Sequence, residues 1–208
     1  MKKTIMLGIL FLVGGTLSMS PVSALAAESN SKVLSQPSVS SGLSEALIKR
    51  ADSDIIVVNN RYQLKDSAVN NFSSGELSQL KKALKESNQL VANQKLTIDP
   101  QTKTIAPEVL FAAYNRRYTM KIFWWGTRYY FTSNAAVAQM TNELANYTFA
   151  FNIGGTIGGI VAKLASGLLG SYTTLMSARL NSFNNSHPHN QIYMDVNQEG
   201  VFSFHILK

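Results

Sequence analysis

The two tryptophans of the chain, Trp124 and Trp125, are neighbours in a run over residues 118–131 that reads YTMKIFWWGTRYYF. Three cations, Arg117, Lys121 and Arg128, accompany its rings. Indole and phenol rings offer a large apolar plane with one polar handle, and a cation over such a plane is held by the ring quadrupole. Arg117, Lys121, Trp124, Trp125, Arg128 and Tyr130 are therefore the candidate binding residues, suited to stacking and anion contact rather than to bond making. Rings at this density equally suit the sheet side of a hydrophobic core, and both readings stand at this point. Stacking of single-stranded nucleic acid uses the same residue types, but the export signal described below argues against that partner.

Residues for covalent chemistry are sparse. The chain has no cysteine, no Gly-x-Ser-x-Gly elbow and no Lys-containing phosphate loop. The carboxylates Glu143, Asp195 and Glu199 are not spaced as a pair. His187 and His189 stand two apart and, with Asp195, are the one arrangement that approaches a metal set, but a zinc site needs three or four convergent ligands and only the histidines are locally placed. The expectation is a non-enzymatic protein without catalytic residues, metal or cofactor.

The elements that must hold the aromatic run can be read from periodicity. Residues 43–51 suit a short helix, and 55–64 a tight hairpin turning at Asn59-Asn60, since Asn tolerates positive φ. Ser73 followed by Glu76 forms a capping box. The helix after it carries Leu77, Leu80, Leu84 and Val91 on one face. Residues 96–105 read as an extended segment folded over Asp99-Pro100, and Ala106-Pro107 as a break, with Pro107 opening a short helix over 108–115. The aromatic run itself reads as one strand. On that reading Phe123, Trp125, Thr127, Tyr129 and Phe131 share one face, Ile122, Trp124, Gly126, Arg128 and Tyr130 the other. Gly126 marks a bulge or a close backbone approach.

Ser133 caps a helix with Val137, Met140, Leu144, Tyr147 and Phe151 at helical spacing, and a second helix is expected over about 156–180. Between them lie Gly154, Gly155, Gly158 and Gly159, a small-xxx-small pattern for close helix packing. Residues 144–162 carry no charge, which fits either a buried core or a segment that enters a membrane. After a loop over 183–190, the end of the chain reads as two strands joined at residues 197–200. The expected fold class is α+β: a small antiparallel sheet, made of the aromatic strand and the C-terminal hairpin, packed on an apolar Gly-rich helical hairpin and preceded by a helical N-terminal segment.

Lys2 and Lys3, an uncharged apolar stretch, then Ala24 and Ala26 make the pattern of a signal peptide cut between Ala26 and Ala27. The expected division is a signal peptide at 1–26, a flexible Ser-rich leader at 27–42, an N-terminal helix and hairpin segment at 43–106, and a C-terminal α+β domain at 107–208. The formal net charge is +7. After residue 108 the only acids are Glu143, Asp195 and Glu199, so the basic excess falls on the aromatic half. That balance suits an anionic membrane or a cell-wall polymer as partner.

The Phe123-Trp124-Trp125-Gly126 strand, the Gly-rich hairpin after Ser133 and the C-terminal hairpin at Gly200 together resemble a group of uncharacterised secreted proteins of Gram-positive bacteria, and the Gly-rich hairpin alone resembles the membrane-active part of bacteriocins. The resemblance implies export and no particular catalytic or binding residue. Two functions follow as expectations: a secreted interaction protein, membrane-active or antimicrobial through its apolar hairpin, or a soluble exported binding module for a cell-wall or host ligand with that hairpin as core.

Overall fold

Apolar residues alternate with polar ones along each of the last strands, and that period of two decides the architecture. The computed structural model describes residues 43–106, 116–146 and 169–208. It is an α+β arrangement of a two-stranded and a six-stranded antiparallel sheet with four α-helices among the described residues. Helix α1 is Glu45–Ala51, α2 is Ser74–Gln94, α3 is Asn134–Ala145 and α4 is Leu169–Ser186. Strands β1 (Ile55–Val58) and β2 (Arg61–Leu64) form the small hairpin. The larger sheet runs in chain order through β3 (Thr97–Asp99), β4 (Thr104–Ala106), β5 (Thr119–Phe123), β6 (Gly126–Phe131), β7 (Ile192–Asn197) and β8 (Phe202–Ile206).

Register turns this sheet into two unlike faces. Ile98, Ile105, Ile122, Thr127, Val196 and Phe202 stand opposite one another in a single row across all six strands, each at most 4 % exposed. This is the core face. At the β3–β5 end it packs with Leu80, Leu84 and Val91 of α2 and with Tyr62 of β2. At the β6–β8 end it packs with Val137, Met140 and Leu144 of α3 and Tyr172, Met176 and Leu180 of α4. The other face carries the rows Thr119–Tyr130–Tyr193–His205 and Lys121–Arg128–Asp195–Ser203, all of them exposed or half-buried.

Local chemistry accounts for most element ends. Asn59 and Asn60 take φ of 50° and 59° and turn the first hairpin. Ser73 and Glu76 form the full capping box of α2, Ser44 caps α1, and Ser133 caps α3 through the amide of Ala136. The aromatic run is a correction. It is not one strand but a hairpin, with Trp124-Trp125 as the two-residue turn and Phe123 paired to Gly126. The turn shifts the face assignment, so Phe123 joins Arg128 and Tyr130 on the polar face while Ile122 faces the core with Thr127 and Tyr129. Gly126 is where β7 comes close: a Cβ there would lie 2.2 Å from the Val196 carbonyl oxygen and 2.7 Å from Asn197 Cα. The expected loop over 183–190 is also shorter, because α4 continues to Ser186.

The boundary expected after residue 106 falls inside the large sheet, where β4 pairs with β5. A polar latch ties the two ends of the core face. Gln198, in the β7–β8 turn, donates through Nε2 to the carbonyls of Ala83 (3.2 Å) and Trp124 (3.0 Å) and to Ser87 Oγ. Ser87 in turn donates to the Trp124 carbonyl at 2.7 Å. Among the described residues no helix is long and apolar enough to cross a membrane. The expected signal peptide and leader, the helix expected over 108–115 and the glycines expected to pack, Gly154, Gly155, Gly158 and Gly159, lie outside the described residues, as do Tyr147 and Phe151.

Candidate functional site

Helix α1 is held against the sheet by bonds at both of its ends. Leu47 and Ala51 are buried, Asn197 Nδ2 donates to the Leu43 carbonyl at 3.0 Å, and the Trp124 indole Nε1 donates to Asp52 Oδ1 at 2.9 Å. Asp52 is also bonded through its carbonyl and its carboxylate to Lys103 Nζ, from the β3–β4 turn. Docked in this way, α1 leaves a cleft of 520 Å³ between itself and the polar face of the sheet. Its helix side is Glu45, Ile48, Lys49 and Asp52, and its sheet side is Phe123, Trp125, Arg128 and Asp195, with Val201 and Ser203 also in the lining.

The Arg128 guanidinium is the centre of the sheet side. Its Nε and Nη2 donate to the two oxygens of Asp195 at 2.7 and 2.8 Å, a fork-on-fork pair set up by the register that puts the two residues opposite one another. Three rings surround it: Tyr193 at 4.2 Å, Phe123 at 5.7 Å and Trp125 at 5.8 Å from ring centroid to Cζ. Phe123 and Trp125 are stacked on each other, 5.2 Å apart and 7° from parallel. Burial alone would lower the Arg128 pKa, but the hydrogen bonds and charge of Asp195 outweigh it and the net shift is upward, so the guanidinium stays charged. On the helix side Glu45 pairs with Lys49 at 2.6 Å. That hydrogen bond holds the Glu45 carboxyl below its ordinary value against the opposing effect of burial, with a smaller contribution from His205.

Of the six sequence-expected binding residues, the structure brings two, Trp125 and Arg128, to the cleft. Trp124 is fully buried in the core at its edge. Lys121 and Tyr130 lie on the same polar face outside the cleft, the Lys121 ammonium 6.0 Å from the Tyr130 ring. Arg117 is elsewhere, bound through its backbone amide to Gln139 Oε1 beside α3. The residues sequence reasoning missed are Phe123, Tyr193 and Ser203 of the sheet, Glu45 and Lys49 of α1, and Asp52, which caps the C-terminal end of α1. The alternation at 192–196 and 202–206, with Tyr193, Asp195, Ser203 and His205 on one side, was the available signal for the sheet residues.

The metal arrangement is not assembled. Asp195 is taken by Arg128, His187 Nδ1 contacts the Phe183 carbonyl at 2.8 Å, and among the described residues no group of three histidine or carboxylate side chains is placed to hold an ion. One contact has nucleophile–base spacing: Ser203 Oγ lies 2.9 Å from His205 Nε2. Glu45 Oε2 approaches the same nitrogen at 3.8 Å. A triad needs its carboxylate on the opposite ring nitrogen, to fix the tautomer while the first nitrogen takes the proton. Glu45 does not supply that, and the His205 ring is instead stacked on Tyr193 at 4.8 Å. What the arrangement can do is seat a ligand between rings and hydrogen-bonding side chains. No family model, curated protein or solved structure matches this chain.

Proposed function

We propose that the protein is an exported, non-enzymatic binding module whose ligand, from a cell wall or a host surface, seats between α1 and the polar face of the large sheet. The observation that carries this reading is convergence. Residues 45–52, 123–128 and 195–203 meet at one cleft, and they bring to it a stacked aromatic pair, a forked Arg–Asp pair and a hydroxyl. Its volume is within the range of about 300–1,000 Å³ usual for ligand sites. The core face of the sheet does the stabilising, which leaves the polar face for recognition. Export rests on the Lys2-Lys3 signal pattern and its small-residue cut site.

The test is tryptophan fluorescence of the full chain against wall fragments, peptides and vesicles. Saturable quenching that Phe123→Ala weakens supports the cleft, and a flat response to every class of ligand refutes it. A second reading, a membrane-active or antimicrobial protein acting on anionic lipid, is favoured by the charge-free stretch over 144–162 with its paired glycines. Dye release from anionic liposomes at micromolar protein supports that reading, and its absence together with absence of lipid binding removes it.

A further inference from the structure

Every carboxylate that lines the cleft already has a cation of its own. Glu45 is with Lys49, Asp195 is with Arg128, and Asp52 is with Lys103. A charged ligand that drew Arg128 away from Asp195 would strand a carboxylate only 14 % accessible, a cost that selects against it, whereas the Glu45–Lys49 pair is solvent-exposed and carries no such cost. The basic excess read from the sequence therefore does not reach this cleft. What the cleft does offer is hydrogen-bonding capacity without net charge. The guanidinium gives two of its five N–H donors to Asp195, which leaves the Nη1 edge for a ligand, and each Asp195 oxygen that accepts from Arg128 keeps a further lone pair. A hydroxyl both donates and accepts, so a pair of adjacent hydroxyls matches an Arg–carboxylate couple. Beside that couple stands Phe123, only partly buried and backed by the stacked Trp125, which is itself 5 % exposed, so the accessible apolar surface there is mainly that of Phe123. Beyond it the rings continue along the polar face: Tyr193 over the other side of Arg128, His205 at 4.8 Å and Tyr130 at 6.3 Å from Tyr193.

We infer that the cleft takes a neutral saccharide unit of a glycan chain, its ring against Phe123 and Trp125, its hydroxyls on Arg128 and Asp195, and the chain continuing over Tyr193 toward Tyr130 and His205. The inference rests on the proposal that this cleft is the ligand site. Both tryptophans adjoin it, Trp125 in its wall and Trp124 through Asp52, so intrinsic fluorescence reads occupancy.

The experiment titrates the full chain with neutral trisaccharides (chitotriose, cellotriose, maltotriose, mannotriose) and, as separate arms, with a glycerol phosphate oligomer and a Lys-rich peptide. The expected result is a saturable fluorescence change with at least one neutral trisaccharide, and an affinity that moves by less than about twofold between low and high salt, because no ion pair forms. Phe123→Ala should weaken it by about tenfold or more, as loss of a central aromatic contact does. Val201→Trp obstructs the cleft from an exposed position, with 36 % of Val201 accessible, and should abolish binding, read for this variant by calorimetry, while far-ultraviolet circular dichroism and the urea midpoint stay native. Binding of glycerol phosphate alone, falling steeply with salt, overturns the glycan inference and leaves the binding proposal in place. Binding of the Lys-rich peptide alone does the same. Sugar binding unchanged in Val201→Trp puts the site elsewhere and overturns both, as does failure of every probe.

Discussion

Arg128 and Asp195 face each other in register across β6 and β7, and the carboxylate accepts two parallel hydrogen bonds from the guanidinium at 2.7 and 2.8 Å. The pair is more than two-thirds shielded on both sides, with 29 % and 14 % of the side chains accessible. Charge-assisted bonds in that setting are worth more than surface pairs, and removing one partner strands the other. Arg128→Met and Asp195→Ala should each cost about 2 kcal/mol, and the double variant should cost less than the sum by about 1–2 kcal/mol. Urea unfolding of the four proteins of the cycle measures this, and strictly additive losses would deny the coupling.

Gly126→Ala should be among the most damaging single changes in the sheet. The new methyl would fall 2.2 Å from a backbone carbonyl oxygen that belongs to a central strand and cannot swing away, at a φ of 156° that only glycine takes readily. The expected loss is about 3 kcal/mol. A melting temperature within a degree of the parent's would contradict the close approach of β7.

Trp124→Phe removes both buried volume and the bond from the indole to Asp52. A loss of about 2–3 kcal/mol is expected, read as a lower urea midpoint. The variant keeps Trp125 as its sole indole, so its emission then reports on the cleft alone.

Acid should act on the start of α2. The backbone amide of Ser73, then Arg50 and the Ser73 hydroxyl, hold the Glu76 carboxyl down to about 2 from an ordinary 4.5. A group whose pKa is lowered by folding stabilises the folded chain above its unfolded value, and that contribution is lost as pH falls through the folded value. Glu76→Ala should therefore melt below the parent at neutral pH, and the gap should close between pH 4.5 and about 2. A gap that is constant across that window would show that the carboxylate is not what caps the helix.

Much of the fold was legible because it is specified locally. Ser73 and Glu76, Asn59-Asn60, Ser133, and the turn before Gly200 each carry their structural reason within four residues, and all sit where that reason puts them. The aromatic hairpin was not legible, since its turn residues are two tryptophans with no positive φ and no turn propensity. What makes them turn is tertiary: the Trp124 ring is fully buried in the core, and its carbonyl is captured by Ser87 and Gln198 from two other elements. The same holds for the cleft. Arg128 is visible in sequence as a cation among rings, but its partner Asp195 follows 67 residues later, and α1 brings Glu45 and Lys49 from a segment whose sequence shows only a short helix.

The bond from Asn197 to the Leu43 carbonyl spans 154 residues. During synthesis α1 leaves the ribosome long before β7 exists, so the bond at its N-terminal end cannot form until β7 is made. A nascent or C-terminally clipped chain would carry α1 and the paired tryptophans yet lack one wall of the cleft. The cleft is thereby complete only once β7 and β8, far along the sequence from α1, have joined it.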